Sequence, residues 1–161
     1  MGQIKNLDSA NVRGARNVNK GLNDPLSKTY LEGFDFNARA TKGSVLNALE
    51  SVDTSTGAIS LTSFDPTQQL RSAEGSTHFS LQAGFLKLDF ETEVYELTQS
   101  DEAIFPIVIG TIAPVLTPTA VPTVSGTGFH VLLIEFFQEV NGVKYMLNNG
   151  AFNVLHLVKM S

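Results

Sequence analysis

Two apolar segments flank a tight-turn dipeptide in the last third of the chain. FHVLLIEFFQEV and VKYML are separated by Asn141-Gly142, the dipeptide most favoured in two-residue type I′ hairpins, because both central residues take positive φ. A turn of this length pairs Val140 with Val143 and predicts a β-hairpin, followed by a further strand in residues 151–160. The register predicts four more pairs: Glu139 with Lys144, Gln138 with Tyr145, Phe137 with Met146 and Phe136 with Leu147.

Apolar and polar residues also alternate with a period of two in several segments upstream of this hairpin. Such alternation is typical of strands that bury one face. Together with the hairpin, these segments predict about seven short strands separated by turn signals, a pattern that indicates an antiparallel β-sandwich, immunoglobulin-like or related, over residues 43–161. The predicted upstream strands are residues 45–52, 58–64, 77–82, 85–94 and 105–109, with 46–49 equally compatible with a helical turn.

The connections between these strands are predicted from glycine, proline and polar residues. Ala83-Gly84 interrupts the alternation and predicts a bulge or a turn. In residues 85–94, the apolar face is predicted to carry Leu86, Leu88 and Phe90. Residues 96–102 read as a polar loop. The prolines of residues 114–122 favour an extended edge or connection over a central strand.

Residues 1–42 differ from the remainder and are predicted to form a basic arm with one short helix. Asp24-Pro25 is an N-cap followed by proline at the first helical position, and Gly33 is a stop signal. Leu26 and Tyr30 are four residues apart, so we expect them to dock the helix on the body. A helix this short requires such docking to persist in water.

Charge is distributed unevenly along the chain. Residues 1–45 contain seven Lys or Arg and four acids, a balance of +3, whereas residues 46–161 contain four and twelve, a balance of −8. This division indicates an arm that lies on an acidic body in cis or exchanges onto a second copy. The basic residues lack interleaved aromatic residues, and the body would repel phosphates, so nucleic acid is not expected as a partner.

Composition further limits the class of protein. Hydrophobic residues make up 42% and charged residues 17% of the 161 positions, which favours one folded domain over disorder. Since the chain has no cysteine, disulfides and thiolate chemistry are excluded. We expect no signal peptide at residues 1–20 and no membrane contact, because residues 104–124 are interrupted by prolines. These features favour a cytoplasmic protein.

Several strings resemble a family of uncharacterised bacterial hypothetical proteins. The resemblance covers most of the chain and implies that it matches the C-terminal part of longer members. It implies no substrate, cofactor or active site. The strings are Arg13-Gly14-Ala15-Arg16-Asn17-Val18, Leu31-Glu32-Gly33-Phe34-Asp35-Phe36-Asn37, Gly75-Ser76-Thr77-His78-Phe79, Leu88-Asp89-Phe90-Glu91 and Phe137-Gln138-Glu139-Val140-Asn141-Gly142.

Two groups of polar residues are candidate metal ligands. His78, His130 and His156 all lie in predicted strands, and a zinc site would require those strands to be neighbours. The row Asp89, Glu91 and Glu93 offers oxygen ligands for calcium. Side chains two residues apart on a strand are nearly 7 Å apart, however, so a solvated sheet face is the preferred interpretation. We expect no metal and no cofactor.

Glu135 is the acid of greatest interest because it lies within an apolar strand. The predicted register places Asn148 opposite it, so a structural pairing is preferred over a catalytic role. Ser44, Ser76 and Ser125 lie in glycine-containing segments, but no adjacent pattern supplies a base. No nucleophile elbow, phosphate loop or zinc-protease motif is present in the sequence.

We therefore expect a protein that is not an enzyme, without assigned catalytic, cofactor-binding or metal-binding residues. The predicted function is a structural or protein-interaction module with a protein partner or self-association, assembling through its arm. The alternative is a carbohydrate- or ligand-binding module, since sandwiches often carry such sites, although this rests on analogy of fold.

Overall fold

The computed structural model describes residues 2–161, apart from the side chains of Asn148 and Asn149. Strands contain 37% of the chain and helices 16%. All strand pairs are antiparallel and belong to two sheets, one of three and one of six strands. The predicted class, mainly antiparallel β, is therefore confirmed.

The elements follow the chain in a mixed order of short helices and strands. The helices are α1 (Gly2–Asn6), α2 (Val18–Gly21), α3 (Pro25–Leu31), α4 (Lys42–Val45) and α5 (Pro66–Gln69). The strands are β1 (Glu50–Val52), β2 (Ile59–Leu61), β3 (His78–Leu88), β4 (Tyr95–Gln99), β5 (Ala103–Pro106), β6 (Val115–Leu116), β7 (Thr127–Val140), β8 (Val143–Met146) and β9 (Val154–Met160), with a 3₁₀ helix at Leu147–Gly150. Within residues 2–161, no helix is both long and apolar enough to cross a bilayer.

The large sheet is built around the pair β3 and β7, which are joined over eleven residue pairs from His78–Phe137 to Leu88–Thr127. At one edge, β4 and β5 lie end to end and both pair with β3. At the other edge, β8 and β9 lie end to end and both pair with β7. The sheet is therefore four strands wide, and β3 and β7 are its two interior strands.

The terminal hairpin has the predicted register as far as Met146. Asn141 and Gly142 take φ values of 51° and 79°, and Val140 pairs with Val143. The predicted pairing of Phe136 with Leu147 is wrong, because the chain enters the 3₁₀ helix after Met146. The side chain of Asn148, the predicted partner of Glu135, lies outside the described residues.

One face of the large sheet, which we call the inner face, carries the main core. It includes the side chains of alternate residues of β3 and β7, all at most 1% exposed: Phe79, Leu81, Ala83, Phe85, Leu132, Ile134 and Phe136. The three-stranded sheet β1–β2–β6 and the segments around α4 and α5 cover much of this face. Because β2 and β6 contribute Ile59, Leu61 and Leu116 to the same cluster, the two sheets share one core.

Several predicted boundaries were wrong. Residues 45–49 are the end of α4 and a connection rather than a strand, because Thr41 and Ser44 form a capping box that starts a helical turn. Ala83-Gly84 does not interrupt β3, which runs straight through it. Residues 96–99 belong to β4 rather than to a polar loop. In β3 the core side is that of Phe85, whereas Leu86 and Leu88 lie half-buried on the opposite face.

The N-terminal arm contains three helices instead of the single predicted one. α3 begins as predicted, with Asp24 accepting a hydrogen bond from the backbone N–H of Leu26 and Pro25 at the first position. The predicted docking through Leu26 and Tyr30 is wrong, since both are about half exposed. Ser27 is buried in their place, and its hydroxyl donates to the carbonyl of Leu22.

The arm packs on the large sheet through a second, smaller core. Ile4 of α1 and Leu22, which follows α2, are buried against Leu157 and Met160 of β9. This contact covers one end of the outer face of the large sheet, the face opposite the main core.

Candidate functional site

The outer face of the large sheet carries an open, almost entirely apolar depression, which we call the outer trough. It lies across all four strand positions of the sheet. Its lining includes Gly84, Leu86, Leu97, Val131, Leu133 and Leu155. The register explains this grouping, because Gly84 faces Val131 and Leu86 faces Leu97 across neighbouring strands.

A ridge of two phenylalanines forms one wall of the trough. Residues 33–36 run beside β9 and are joined to it by an isolated antiparallel bridge between Asp35 and His156. The N–H of Gly33 donates to the Leu157 carbonyl (2.8 Å), the N–H of Leu157 to the Phe34 carbonyl (2.9 Å), and the N–H of Phe36 to the Leu155 carbonyl (2.9 Å). Alternation therefore places Phe34 and Phe36 together on the outer face. Their rings are edge to face with centroids 5.1 Å apart, and they are 50% and 58% exposed. We call these two residues the Phe ridge.

The opposite wall is formed by β4. Leu97 lines the trough and is 49% exposed, and Tyr95 lies on the same face, opposite Leu88. Large apolar side chains exposed on both walls and joined by an apolar floor make a contiguous patch. An exposed apolar patch with these two walls is a candidate contact surface.

Gly84 determines the depth of the trough at its centre. A Cβ atom at this position would lie 2.8 Å from Cγ2 of Val131 and 3.6 Å from Cδ1 of Leu97. The first distance is too short for two carbon atoms, so any side chain would displace Val131. Because residue 84 is glycine, the side chain of Val131 can occupy the space beside the backbone of β3, and no side chain from position 84 projects into the trough.

The trough consists of two adjoining cavities. The first has a volume of about 360 Å³ and the second, towards the arm, about 210 Å³. Both are lined by Phe36, Leu86 and Val131. The second cavity ends at Phe90 and Phe129, where the arm begins to cover the sheet.

The end of the trough farther from α1 and α2 is polar and acidic. Gln82 and Gln99 line it, and Glu135 lies on the same face two residues beyond Leu133 in β7. One carboxylate oxygen of Glu135 accepts a hydrogen bond of 2.6 Å from the side-chain amide of Asn153. Burial, and then the nearby Glu102, raises the pKa of Glu135 above its ordinary value.

His156 belongs to a buried network that joins the arm to the body on the inner face. Its Nδ1 atom lies 2.8 Å from Oδ1 of Asp35, and its Nε2 atom lies 3.7 Å from Oε1 of Glu50. Lys42 forms an ion pair with Glu50 and donates its backbone N–H to Asp35. All four side chains are at most 17% exposed. We call this group the inner latch; its geometry suits a structural cross-link.

The other two histidines lie elsewhere in the sheet. His130 is buried and stacked on Phe85 with ring centroids 4.3 Å apart, and its Nε2 atom lies 3.1 Å from the hydroxyl of Ser161. Burial, opposed by Asp53, lowers the pKa of His130. His78 contacts Thr77 and Glu139. All three histidines lie in strands, as predicted. Within residues 2–161, no group of three His, Cys, Asp or Glu is arranged to hold a metal ion.

The acidic row predicted on a strand lies in a turn. β3 ends at Leu88, and Asp89 accepts hydrogen bonds from the backbone N–H groups of Glu91 (2.8 Å) and Thr92 (3.3 Å). These bonds lower the pKa of Asp89. Glu91 binds the side chain of Asn19, and Glu93 takes a φ of 60°. The strand prediction is wrong here because the Asp89 carboxylate binds backbone N–H groups that a continued β-strand would use for pairing with its neighbour.

The three candidate serines, Ser44, Ser76 and Ser125, lie at local caps or in a connection. Ser44 completes the cap of α4, and the hydroxyl of Ser76 donates to the carbonyl of Ala73 at 2.6 Å. Ser125 is exposed in the connection before β7. The hydroxyl that approaches a histidine belongs to Ser161, which was not among the candidates.

Charge has a smaller part in arm docking than its uneven distribution suggests. Lys42–Glu50 joins a basic residue of the arm to an acid of the body, whereas Lys159–Glu32 joins them in the opposite sense at 3.3 Å. The arm also has apolar contacts with the body, through the buried side chains of Ile4 and Leu22. Burial of apolar surface favours docking whatever the distribution of charge.

Sequence reasoning missed the Phe ridge and the trough. The signal for the ridge was present in the alternation of Phe34, Asp35 and Phe36, which predicts a short strand inside the arm. The position of Gly84 in the middle of an apolar strand was a signal for close approach by a neighbouring side chain. No signal in the sequence distinguishes the covered from the uncovered face.

No family model matches the chain, and the comparisons with curated proteins and with solved structures also return no match. The resemblance to uncharacterised bacterial proteins therefore stays a prediction. The interpretation of the outer trough rests on its geometry and chemistry.

Proposed function

We propose that the protein is a non-catalytic protein-interaction module whose outer trough receives apolar side chains of another polypeptide. The observation that carries this proposal is the uncovered apolar surface between the Phe ridge and Leu97. Exposed aromatic and aliphatic residues around a depression are typical of the centre of a protein interface. The acidic end supplies a polar rim.

The surroundings of the titratable groups support a non-catalytic role. Glu135, the acid beside the trough, is hydrogen-bonded to Asn153. His156 has an acid at each ring nitrogen, and His130 is buried between Phe85 and Ser161. In these arrangements the polar groups hold structural elements together and do not line the trough.

The second candidate function is binding of a small apolar molecule. The larger cavity, of about 360 Å³, is within the range of small-molecule sites, roughly 300–1,000 Å³. The polar groups in its lining are the side-chain amides of Gln82 and Gln99. Since sugar hydroxyls require many hydrogen-bond partners, an apolar ligand fits this lining better than a carbohydrate does.

We propose for the fold that the two sheets form a β-sandwich, which is supported by the core shared between β2, β6 and the inner face. Kinship with the uncharacterised bacterial family is also a proposal. It is supported by the resemblance of the five strings named above, which covers most of the chain.

Site-specific photo-crosslinking tests the proposed function. Leu97 is replaced by benzoylphenylalanine in the full chain, which is expressed in the organism that encodes it. The matched control carries the same group at Ile109, an apolar residue in a loop outside the trough that is 87% exposed. We expect a polypeptide adduct from position 97 that is absent from position 109 and is lost when Phe36→Asp places a charge on the ridge.

Equal adducts from both positions, or no polypeptide adduct from position 97, would contradict the proposal. A cross-link to a small apolar molecule would favour the second candidate. Thermal unfolding of the Phe36→Asp variant is the control for folding, and we expect it to be nearly unchanged because the side chain is 58% exposed.

A further inference from the structure

Asp35 connects the inner latch to the Phe ridge through the backbone that they share. The side chain of Asp35 lies on the inner face against His156, whereas its neighbours Phe34 and Phe36 lie on the outer face. The same short segment therefore carries a carboxylate of the latch on one side and the wall of the outer trough on the other. Any change that strengthens the contact between Asp35 and His156 also holds the Phe ridge against β9.

The charges of the inner latch balance only when His156 is protonated. Asp35 of the arm, Glu50 of β1 and Lys42 of α4 surround the ring. From β7, the strand paired with β9, the residue opposite is the uncharged Leu132. With a neutral imidazole, two carboxylates and one ammonium group leave a net charge of −1, which an imidazolium would bring to zero. Since the four side chains are at most 17% exposed, an unbalanced charge is costly there.

The positions of the two ring nitrogens favour the same protonation state. Nδ1 of His156 lies 2.8 Å from Oδ1 of Asp35, and Nε2 lies 3.7 Å from Oε1 of Glu50. A neutral imidazole has one N–H group, so its other nitrogen presents a lone pair. That lone pair would face a carboxylate whichever nitrogen carried the proton. The protonated ring has an N–H at both positions, and its hydrogen bond to Asp35 is then charge-assisted and stronger.

Other contacts attach the chain on both sides of this bridge without an imidazole. On one side, Glu32 accepts a hydrogen bond of 3.0 Å from the backbone N–H of Met160 and forms an ion pair of 3.3 Å with Lys159. On the other side, the side-chain amide of Asn37 donates to a backbone carbonyl just before β9 at 2.9 Å. Loss of a proton from the latch would therefore loosen residues 33–36 without releasing the arm.

We infer that the inner latch is a pH-sensitive device that holds the Phe ridge: protonated His156 fixes residues 33–36 to β9, and loss of the proton loosens them. Docking of this segment places the Asp35 carboxylate beside the ring and so favours binding of a proton. Because linked equilibria are reciprocal, binding of the proton favours docking. The segment is therefore held more tightly in mild acid and less tightly as the pH rises. The consequence for a partner in the outer trough rests on the proposed function.

Amide hydrogen exchange of the full chain, followed by NMR, tests the inference. The reporters are the N–H groups of Phe36 and Leu157, which bond across the bridge between the arm and β9. The references are the N–H groups of Phe64 and Ile112, which bond across a second isolated bridge between two apolar residues. Protection factors, which correct for the pH dependence of exchange itself, are compared at about pH 5.5 and about pH 8, the range in which histidine side chains ordinarily change charge.

We expect the protection of the reporters to fall roughly tenfold between the lower and the higher pH, and that of the references to change by less than about twofold. His156→Gln removes the titratable ring, and Asp35→Asn removes the carboxylate but keeps the size of the side chain. Each variant should abolish the pH dependence of the reporters, and Asp35→Asn gives the answer if His156→Gln does not fold. The matched control His78→Gln removes a histidine paired with Glu139 and should preserve the tenfold change.

Three results would overturn the inference. The first is protection of the reporters that stays constant or rises with pH, the second is an equal fall in the references, and the third is a fall that persists in Asp35→Asn. These measurements involve no partner, so the cross-link from position 97 decides the proposed function separately. A fall confined to the reporters, together with no polypeptide adduct from position 97, would keep the latch and refute the proposed function.

Discussion

On the inner face of the large sheet, Phe79, Leu81 and Leu132 are fully buried, whereas on the outer face Val131 and Leu133 are half-buried and line an open trough. These residues belong to the same two strands and are similarly apolar. The faces differ in what lies over them. The inner face is covered by the small sheet and by α4 and α5, and the outer face is covered by the arm at one end only.

The comparison teaches that alternation in a strand identifies two faces but does not identify which of them is covered. Burial depends on how much other chain is available to pack there. In this protein, residues 40–73 and 115–116 pack on the inner face. The apolar residues that remain uncovered on the outer face are therefore the observation on which the proposed function rests.

The largest expected effect comes from truncating one residue on each face. Phe79→Ala should lower the free energy of unfolding by about 3–5 kcal/mol, because it leaves a cavity in a well-packed core. Leu133→Ala should lower it by about 1 kcal/mol, since the side chain is already partly in water. Urea unfolding of both variants measures the difference. Similar losses would mean that the outer face is as well covered as the inner face.

The second expected effect concerns the inner latch. His156→Ala should lower the free energy of unfolding by about 3 kcal/mol, because it leaves two buried acids without their shared partner. Asp35→Asn should be coupled to it by about 1 kcal/mol in a double-mutant cycle.

The matched control for the latch is His78→Ala, which removes a partly exposed pair with Glu139 at 3.5 Å and should change stability by no more than about 0.5 kcal/mol. If His156→Ala were equally mild, the latch would not hold the arm to the inner face. Limited proteolysis of the arm would report the same loosening directly.

The smallest expected effect is a pH dependence at the acidic end of the trough. The pKa of Glu135 is raised by burial, and then by Glu102, from the reference value of 4.5. A raised pKa means that the folded state holds the proton more tightly, so this contribution to stability is fully present below pH 4.5 and is lost as pH rises through the folded pKa.

Glu135→Gln should therefore be neutral to folding near pH 4 and stabilise the protein by no more than about 0.5 kcal/mol near pH 7, because solvent screens much of the effect. Thermal unfolding at both pH values measures it. A variant that is destabilised more at pH 7 than at pH 4 would show that the carboxylate is favoured by its surroundings. That result would contradict a raised pKa of Glu135.

Local signals predicted the elements that depend on local chemistry. Asn141-Gly142 determined the hairpin register because few dipeptides adopt two successive positive φ values. Asp24-Pro25 determined the start of α3 because capping is a property of adjacent residues. The class of the fold followed from the same strand periodicity.

Features that depend on distant residues could not be predicted. Gly84 in an apolar strand indicates that a side chain approaches closely, but no residue near it in the sequence identifies that neighbour as Val131. In the same way, nothing near Asp35 indicates His156, which is 121 positions away. Leu26 and Tyr30 have the spacing of a docking face. In the structure, however, the Ser27 hydroxyl donates to the carbonyls of Leu22 and Asp24, and the side of the helix that carries Leu26 and Tyr30 is exposed. The site is harder to predict than the fold, because the trough exists only where no other segment of the chain packs on the outer face.

The pairing of residues 33–36 with β9 has a practical consequence for recombinant fragments. A fragment that begins at residue 43 would leave the carbonyl of Leu155 and both backbone groups of Leu157 unpaired along an open border. Such a border can recruit the same strand from another molecule and lead to aggregation. Expression work on this protein should therefore retain the segment from Gly33 to Phe36, whatever the intended length of the product.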